Sequence, residues 1–444
     1  MGMTRRAFVQ RGVAMGSAAL ALQRFSLVNA LAQTGGYQAL VCIFLFGGND
    51  SNNMIIPIDQ YADYNAVRGA GTGLNIPVDT LLPISPPSAA STFGLHPSLA
   101  GLKPIWDQRR LAVVCNVGPL VEPLTRTQYL AGNARVPVNL FSHSDQQGQW
   151  QTCVSTGPSA TGWGGRTADR FDSGLTFPMM VTSAGLTPFT AATSARPLTL
   201  TPGQAFQLSG FTGAYAGSRY TALQTLLQID ADQRLIQSAN DTTSMAITNS
   251  RLLGTLPTVQ TVFPGTSLGN QLKQVAQLIK LNQSKLGLPR QLFFCSLGGF
   301  DTHSAQANTQ ANLLLQLGNA MAALDAATQE LGVMSAVTTF TLSDFARTFV
   351  GNGNSGTDHA WGGHHVVMGG AVKGGDFYGA FPTLAPNGPS DTDSGSGARG
   401  RWIPTSAVDE YAATLASWYG LGTADLPAVF PNLGRFATAN LGFL

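Results

Sequence analysis

Charge is what this chain has least of. Charged residues make up 11% of its 444 positions, against about 25% in an average soluble domain. Hydrophobic residues make up 44%. That balance excludes a disordered chain, which needs low hydrophobicity and high charge, and a charged coiled coil. Cysteine is scarce as well, four in all, and no C-x-x-C metal motif is present. Cys42, Cys115 and Cys295 sit in apolar strand-like runs, where a buried free thiol is the expected state. No G-x-S-x-G elbow follows a strand, and no G-x-G-x-x-G follows the first strand-like run. These absences weigh against a serine esterase and a dinucleotide-binding enzyme.

Four of the basic residues (Arg5, Arg6, Arg11 and Arg24) crowd into the first 32 positions, which hold no acid. Removing them takes the net charge from +2 to −2, so the remaining chain has no basic excess to attract nucleic acid. Thr4-Arg5-Arg6-Ala7-Phe8 reads as a twin-arginine export motif. A short Ala/Gly-rich apolar run and the small-residue site Ala30-Leu31-Ala32 follow it. The run is too short for a membrane span of about 20 residues. The expectation is a signal peptide over 1–32, export by the twin-arginine machinery, and a periplasmic or secreted protein without a stable membrane span.

Six apolar runs bounded by Gly or polar residues predict buried strands: 39–46, 111–117, 178–181, 291–297, 338–342 and 365–368. Helical patterns lie between them at 99–110, 220–238, 268–286, 307–330 and 411–419. Strands alternating with helices predict an α/β fold with a largely parallel sheet. Residues 185–265 break the rhythm with Thr, Ser, Gly and Gln, and are expected to be a loop and helix insertion in a single domain over 33–444.

In open α/β sheets, sites form at the carboxyl ends of strands. The first predicted strand ends in Gly47-Gly48-Asn49-Asp50, where Asp50 is either a ligand or a turn cap. The fourth ends in Gly298-Gly299-Phe300-Asp301-Thr302-His303, an acid and an imidazole able to share a metal. The fifth ends in Ser343-Asp344-Phe345-Ala346-Arg347. Asp358-His359 and His364-His365 put three of the six histidines within seven residues. His364 and His365 start a strand and point to opposite faces, so His359 is the expected ligand. Ser142-His143-Ser144-Asp145-Gln146-Gln147 reads as a helix start, suited to a nucleophile and an anion, or as a plain cap with Ser144 and Gln147 in a capping box. Arg166, in Gly162-Trp163-Gly164-Gly165-Arg166, and Arg347 are candidate anion-binding residues. His96 is expected to be structural.

Taken together, the leader, LFGGNDSNN, SHSDQQGQW, GWGGR, GGFDTH, SDFART, TDHAWGG and GGDFYG resemble the secreted DUF1501 proteins. That family is similar to the alkaline phosphatase/sulfatase superfamily. The resemblance implies a three-layer α/β/α fold with an alkaline-phosphatase-like core. It also implies one or two divalent ions (zinc, manganese or calcium) and a Ser nucleophile at a helix N-terminus. Carried over residue by residue, it gives Asp50, Asp301, His303, Asp344 and His359 as metal ligands. Ser142, or its neighbour Ser144, becomes the nucleophile, with His143 as proton donor. Ser343-Asp344-Phe345-Ala346 resembles a Ser-Asp-His-Gly motif in which Phe345 replaces a metal-binding His. The absence of Cys-x-Pro-x-Arg argues against a formylglycine sulfatase. The expectation is a metal-dependent hydrolase acting on a small or polymeric anionic ester of phosphate or sulfate. The alternative is a non-catalytic envelope or surface protein that keeps the fold as a binding module.

Overall fold

Strand β1 (Gln38–Phe46) is an unbroken apolar run whose residues 39–45 are all buried. A strand buried on both faces needs a packed layer on each side. Side chains alternate across the sheet, and β1 accordingly divides its residues between two cores. Ala39, Val41, Ile43 and Leu45 join one, with the helices Ser267–Leu281 and Gln306–Glu330. Leu40, Cys42 and Phe44 join the other, with the helix Val408–Trp418. This is the expected α/β/α layering. The computed structural model describes residues 36–444 apart from 70, 172–174, 176, 205, 207, 209, 212 and 230–232. The expected leader lies outside the described residues.

The further strands are β2 (Ile55–Pro57), β3 (Leu82–Ile84), β4 (Phe93–Leu95), β5 (Leu111–Gly118), β6 (Met180–Thr182), β7 (Leu198–Thr199), β8 (Arg290–Gly298), β9 (Val337–Ser343), β10 (Gly363–Met368), β11 (Phe377–Tyr378) and β12 (Ser406–Ala407). The main sheet runs β11-β5-β10-β9-β1-β8-β6-β7, with β12 added on β5, while β2, β4 and β3 form a small separate sheet. Parallel pairs join β1 to β8 and β9, β6 to β7 and β8, and β5 to β11 and β12. Only β10 runs antiparallel in the main sheet, against β5 and β9. Because β8 and β9 flank β1 in parallel, the carboxyl ends of all three open on one edge.

Each of the six expected strands is present, shifted by two residues or fewer. Two helices differ from expectation. The pattern at 99–110 resolves into a turn at Pro97–Leu99 and the short helix Lys103–Asp107, because Pro104 can stand only in a first helical turn. The pattern at 220–238 straddles the end of one helix, Ala216–Leu226, and the start of another, Arg234–Leu253. The long helix Gln306–Glu330 buries Leu313, Leu317, Met321 and Leu324 at three- and four-residue spacing. Between β6 and Ser267 the chain forms the edge strand β7 and the helices Ala216–Leu226 and Arg234–Leu253. Among the described residues no helix is long and apolar enough to cross a membrane.

All four cysteines are buried and free. Burial pushes their thiols up, that of Cys295 to about 12, which makes them poor nucleophiles. His364 and His365 do point to opposite faces. His364 accepts the Asn116 N–H at Nδ1 and stacks on Phe381, while His365 packs on Trp150. Neither belongs to the site described below. His96 caps the turn Pro97–Leu99 by accepting the Ser98 N–H.

Burial lowers the imidazole of His96 to about 4 and those of His364 and His365 to about 3. Above about pH 6.5 each is neutral whether folded or unfolded, and none affects stability. Below it the unfolded chain binds protons that the native state refuses, so stability falls as pH falls, by about 1.4 kcal/mol per pH unit for each histidine. Asp409, raised by burial to about 8, acts in the opposite sense over much of the same window, so a difference isolates the effect. We predict that His365→Leu flattens the fall in unfolding free energy between pH 6 and 4 by about 1.4 kcal/mol per pH unit, measured by urea titration at each pH. An unchanged slope would refute the assignment.

Candidate metal centre

The turn after β1 sets the floor of the site. Gly47 and Gly48 take φ of +111° and +84°, where side chains are disfavoured. Space is the second constraint. A Cβ on Gly47 would lie 2.3 Å from the Asp301 backbone N, and one on Gly48 would lie 2.5 Å from the Phe345 ring. The two glycines therefore let the ends of β8 and β9 close onto β1. Phe300 N donates to Phe46 O at 3.1 Å, which brings Asp301 over this turn. The segment after β9 then zips to the segment before β10. Thr348 N donates to Asp358 O, Ala360 N to Ala346 O and Ala346 N to Trp361 O. That pairing sets His359 opposite Arg347 and carries it to Asp301.

From the other side comes the helix His143–Thr152, with Ser142 as its N-cap residue. Its polar first turn is tied down by local bonds. Phe141 N donates to Gln146 Oε1 at 2.6 Å, and the Ser142 hydroxyl donates to Asp145 Oδ2 at 2.6 Å. The expected Ser144–Gln147 capping box does not form, because Gln147 reaches inward to Asp344 Oδ2 at 2.7 Å instead.

His143, Asp301 and His359 offer ligand atoms within 4.8 Å of one another, a group that could hold a metal ion. The Nε2 atoms of His143 and His359 stand 3.5 and 3.4 Å from Asp301 Oδ1. His303 adjoins the group, its Nε2 3.1 Å from Asp301 Oδ1 and 2.9 Å from His359 Nε2. A tetrahedron with bonds of about 2.0–2.1 Å has edges of about 3.3 Å, so these separations suit a small divalent ion.

The outer nitrogens fix what the inner ones present. His143 Nδ1 meets Asp344 Oδ2 at 2.7 Å, His303 Nδ1 meets Asp358 Oδ1 at 3.1 Å, and His359 Nδ1 meets Phe141 O at 2.7 Å. All three partners only accept, so each Nδ1 carries the proton, and a neutral ring turns a lone pair at Nε2 inward. The His143 Nε2 is buried and has no hydrogen-bond partner. Three lone pairs and a carboxylate oxygen converging without a cation would repel, and histidine ligands are usually held through the second nitrogen in this way. The donor set fits a divalent ion. The Asp301 and His303 side chains are 46% and 45% exposed and those of His143 and His359 31% and 25%, so the centre is open on one side.

Electrostatics support the ligand forms. Burial acts to raise the Asp301 carboxyl, but the hydrogen bond and charge of the Arg347 guanidinium at 2.7 Å oppose it, and Asp301 is held below the usual carboxylate range. Burial, aided by the Arg347 charge, lowers the His359 imidazole although the Phe141 carbonyl opposes this. Asp358 is likewise held low, its burial outweighed by Asn352, His303 and Arg399.

Against the sequence reading, Asp301 and His359 stand in the group and His303 beside it. His143, expected as a proton donor, faces it as a ligand. Asp344, expected as a ligand, instead holds His143 and Gln147 from behind. Asp50 is not in the group: it is fully buried, caps Asn52 and binds Arg68. Arg166 is spent on the backbone carbonyls of Thr152, Thr161 and Val429. Arg347 is buried and pairs with Asp301 and Gly47 O. Asp358, Gln147 and the Phe141 carbonyl were missed. Only Asp358, next to His359 in the chain, gave a sequence signal.

Residues 275–392 match the model of a family described as "Protein of unknown function (DUF1501)". The segment holds Asp301, His303, Asp344 and His359, but neither Asp50 nor His143. No curated protein matches the chain. Among solved structures, the PsFucS1 sulfatase from Pseudoalteromonas sp. is 10% identical, with 93% of this chain and 72% of that one covered and a TM-score of 0.33. The C-terminal periplasmic domain of EcEptC from Escherichia coli, in complex with Zn, is 11% identical, with 76% and 74% covered and a TM-score of 0.28. Likeness at that level carries no functional weight, and the centre stands on its own geometry.

The contact between Gly48 and Phe345 yields a test by double substitution. Gly48→Ala is expected to cost about 2–4 kcal/mol, from its positive φ and the overlap with the ring. In a Phe345→Ala background the overlap is gone and the same change should cost about 1 kcal/mol. Equal costs in both backgrounds, measured by denaturant unfolding, would show that the ring does not close on the turn.

Proposed function

For a chain that carries a DUF1501 segment, we propose a metal-dependent hydrolase of phosphate or sulfate esters, exported by the twin-arginine route to the periplasm or beyond. The observation that carries the proposal is the convergence of the His143 and His359 Nε2 atoms on Asp301 Oδ1, each imidazole locked by an acceptor at Nδ1. His143, Asp301 and His359 would hold the ion, with His303 adjoining. A divalent ion there supplies Lewis-acid polarisation of an ester oxygen and offsets the charge that develops on it. The ester class itself comes from the motif resemblance.

The chain's own residues do the rest. Asp344, Asp358 and the Phe141 carbonyl fix the imidazole tautomers. Arg347 keeps Asp301 ionised and oriented. Ser142 adjoins the His143 ligand, and its hydroxyl already donates to Asp145, so an acceptor for its proton is in place. Hydrogen bonds from Ser142, first, and from Asn139 hold the Asp145 carboxyl low, which keeps it ionised. The first backbone N–H groups of this helix lie beside the same residues and suit an anionic oxygen. A second reading, a non-catalytic binding module, draws support from the inward commitment of Arg166 and Arg347.

A screen of aryl phosphate and aryl sulfate esters separates the two. The hydrolase is expected to turn over one class with an added divalent ion, to stop with a chelator, and to lose activity in Asp301→Ala and His359→Ala. Asp344→Asn should retain the ligands but weaken metal affinity by about 10–100-fold. Metal bound with no turnover of either class would leave the binding module, and turnover retained in Asp301→Ala would refute the site.

A further inference from the structure

We infer that the centre takes a single metal ion, because the chain's own Arg68 guanidinium stands where a second cation would neutralise Asp50. The inference rests on the metal-centre reading above and narrows it.

Asp50 has no acceptor site left. Its Oδ2 takes Arg68 Nη1 and Gln306 Nε2, both at 2.5 Å, and its Oδ1 takes Arg68 Nη2 at 3.0 Å and the Asn52 N–H at 3.2 Å. A carboxylate has about four lone-pair sites, and four donors occupy them. Both members of the pair are fully buried. A guanidinium does not lose its proton in proteins, so the cation at Asp50 is permanent. Arg68 is fixed in turn by Thr348 O at 3.2 Å and lies over the Phe349 ring at 5.3 Å.

The second carboxylate that might serve another ion is fully buried and has three of its four acceptor sites taken. Asp344 Oδ2 takes His143 Nδ1 and Gln147 Nε2, each at 2.7 Å, and Oδ1 takes the Gly47 N–H at 3.1 Å. Phe345 packs beside the centre. Its ring is buried over Gly48, with its centroid 4.8 Å from that of His143 and 4.6 Å from that of His359. Carbon stands there in place of a donor. Neither buried carboxylate thus offers a second ion a free set of ligands, whereas the His143–Asp301–His359 face stays open.

The test is metal content per chain, by elemental mass spectrometry on the full-length exported protein after equilibration with zinc, manganese or calcium and desalting. Beside the wild type stand His359→Ala and the double variant Asp50→Asn/Arg68→Gln, which removes both charges of the buried pair together and so leaves no uncompensated ion. The expected result is one equivalent in the wild type, one in the double variant and none in His359→Ala. Two equivalents in the wild type, or metal lost from a folded double variant, would overturn the inference while the metal-centre reading stood. No metal in the wild type would overturn that reading and the inference with it. Should the double variant not fold, the wild-type stoichiometry decides alone.

Discussion

The Asp344 carboxylate is the contact on which the centre depends. It is fully buried and accepts from the turn after β1 and from two side chains of the helix His143–Thr152. One anion therefore joins the central strand, its neighbour β9 and the helix that brings His143. Burying a carboxylate is costly unless its lone pairs are used. Here the unused state is avoided only when helix and turn are both docked. The same bonds that offset the burial of Asp344 aim the His143 lone pair at Asp301. Stability and site geometry are one requirement at this residue.

Arginine explains much of the rest. Asp50 pairs with Arg68, Asp301 with Arg347 and Asp358 with Arg399. Three acids around the centre thus have a guanidinium each, and Asp344 has other donors. Such pairs hold carboxylates in place before any ligand arrives, and preorganisation of this kind is what makes a site act strongly. It also commits those guanidinium groups to carboxylates of the chain.

The fold was legible because its signal is one-dimensional. Strand β1 is apolar along its whole length and flanked by turn glycines, and no tertiary knowledge is needed to read it as a doubly covered strand. The strand-end rule then pointed to Asp50, Asp301 and Asp344, and the histidine cluster to His359, without distances. The rule could not separate an acid that faces the centre from one that faces away. Asp50 and Asp301 both follow a Gly-Gly turn at the end of a parallel strand. Arg68, 18 residues downstream of Asp50, claims the first, and no local pattern marks that partner. The arginines failed for the same reason. Arg166 and Arg347 look available in sequence, but their partners are backbone carbonyls and a carboxylate brought in from distant segments.

His143 is the instructive case. Beside two serines at a helix start it reads as chemistry near a nucleophile, and its neighbours suggest a proton donor. A proton donor needs an imidazole free to exchange its proton with the reacting group. His143 is not free, because Asp344 holds Nδ1–H while Nε2 is enclosed against Asp301 and His359. Phe345 completes the constraint, since its ring packs against His143 and His359 alike and leaves the two imidazoles only their Nε2 edges to present. The residue that seems in sequence to delete a ligand thus helps to orient two others. A metal-binding His at position 345 would have come from the end of β9. The helix N-terminus instead brings His143 to the group that could hold a metal ion, with Ser142 next to it in the chain.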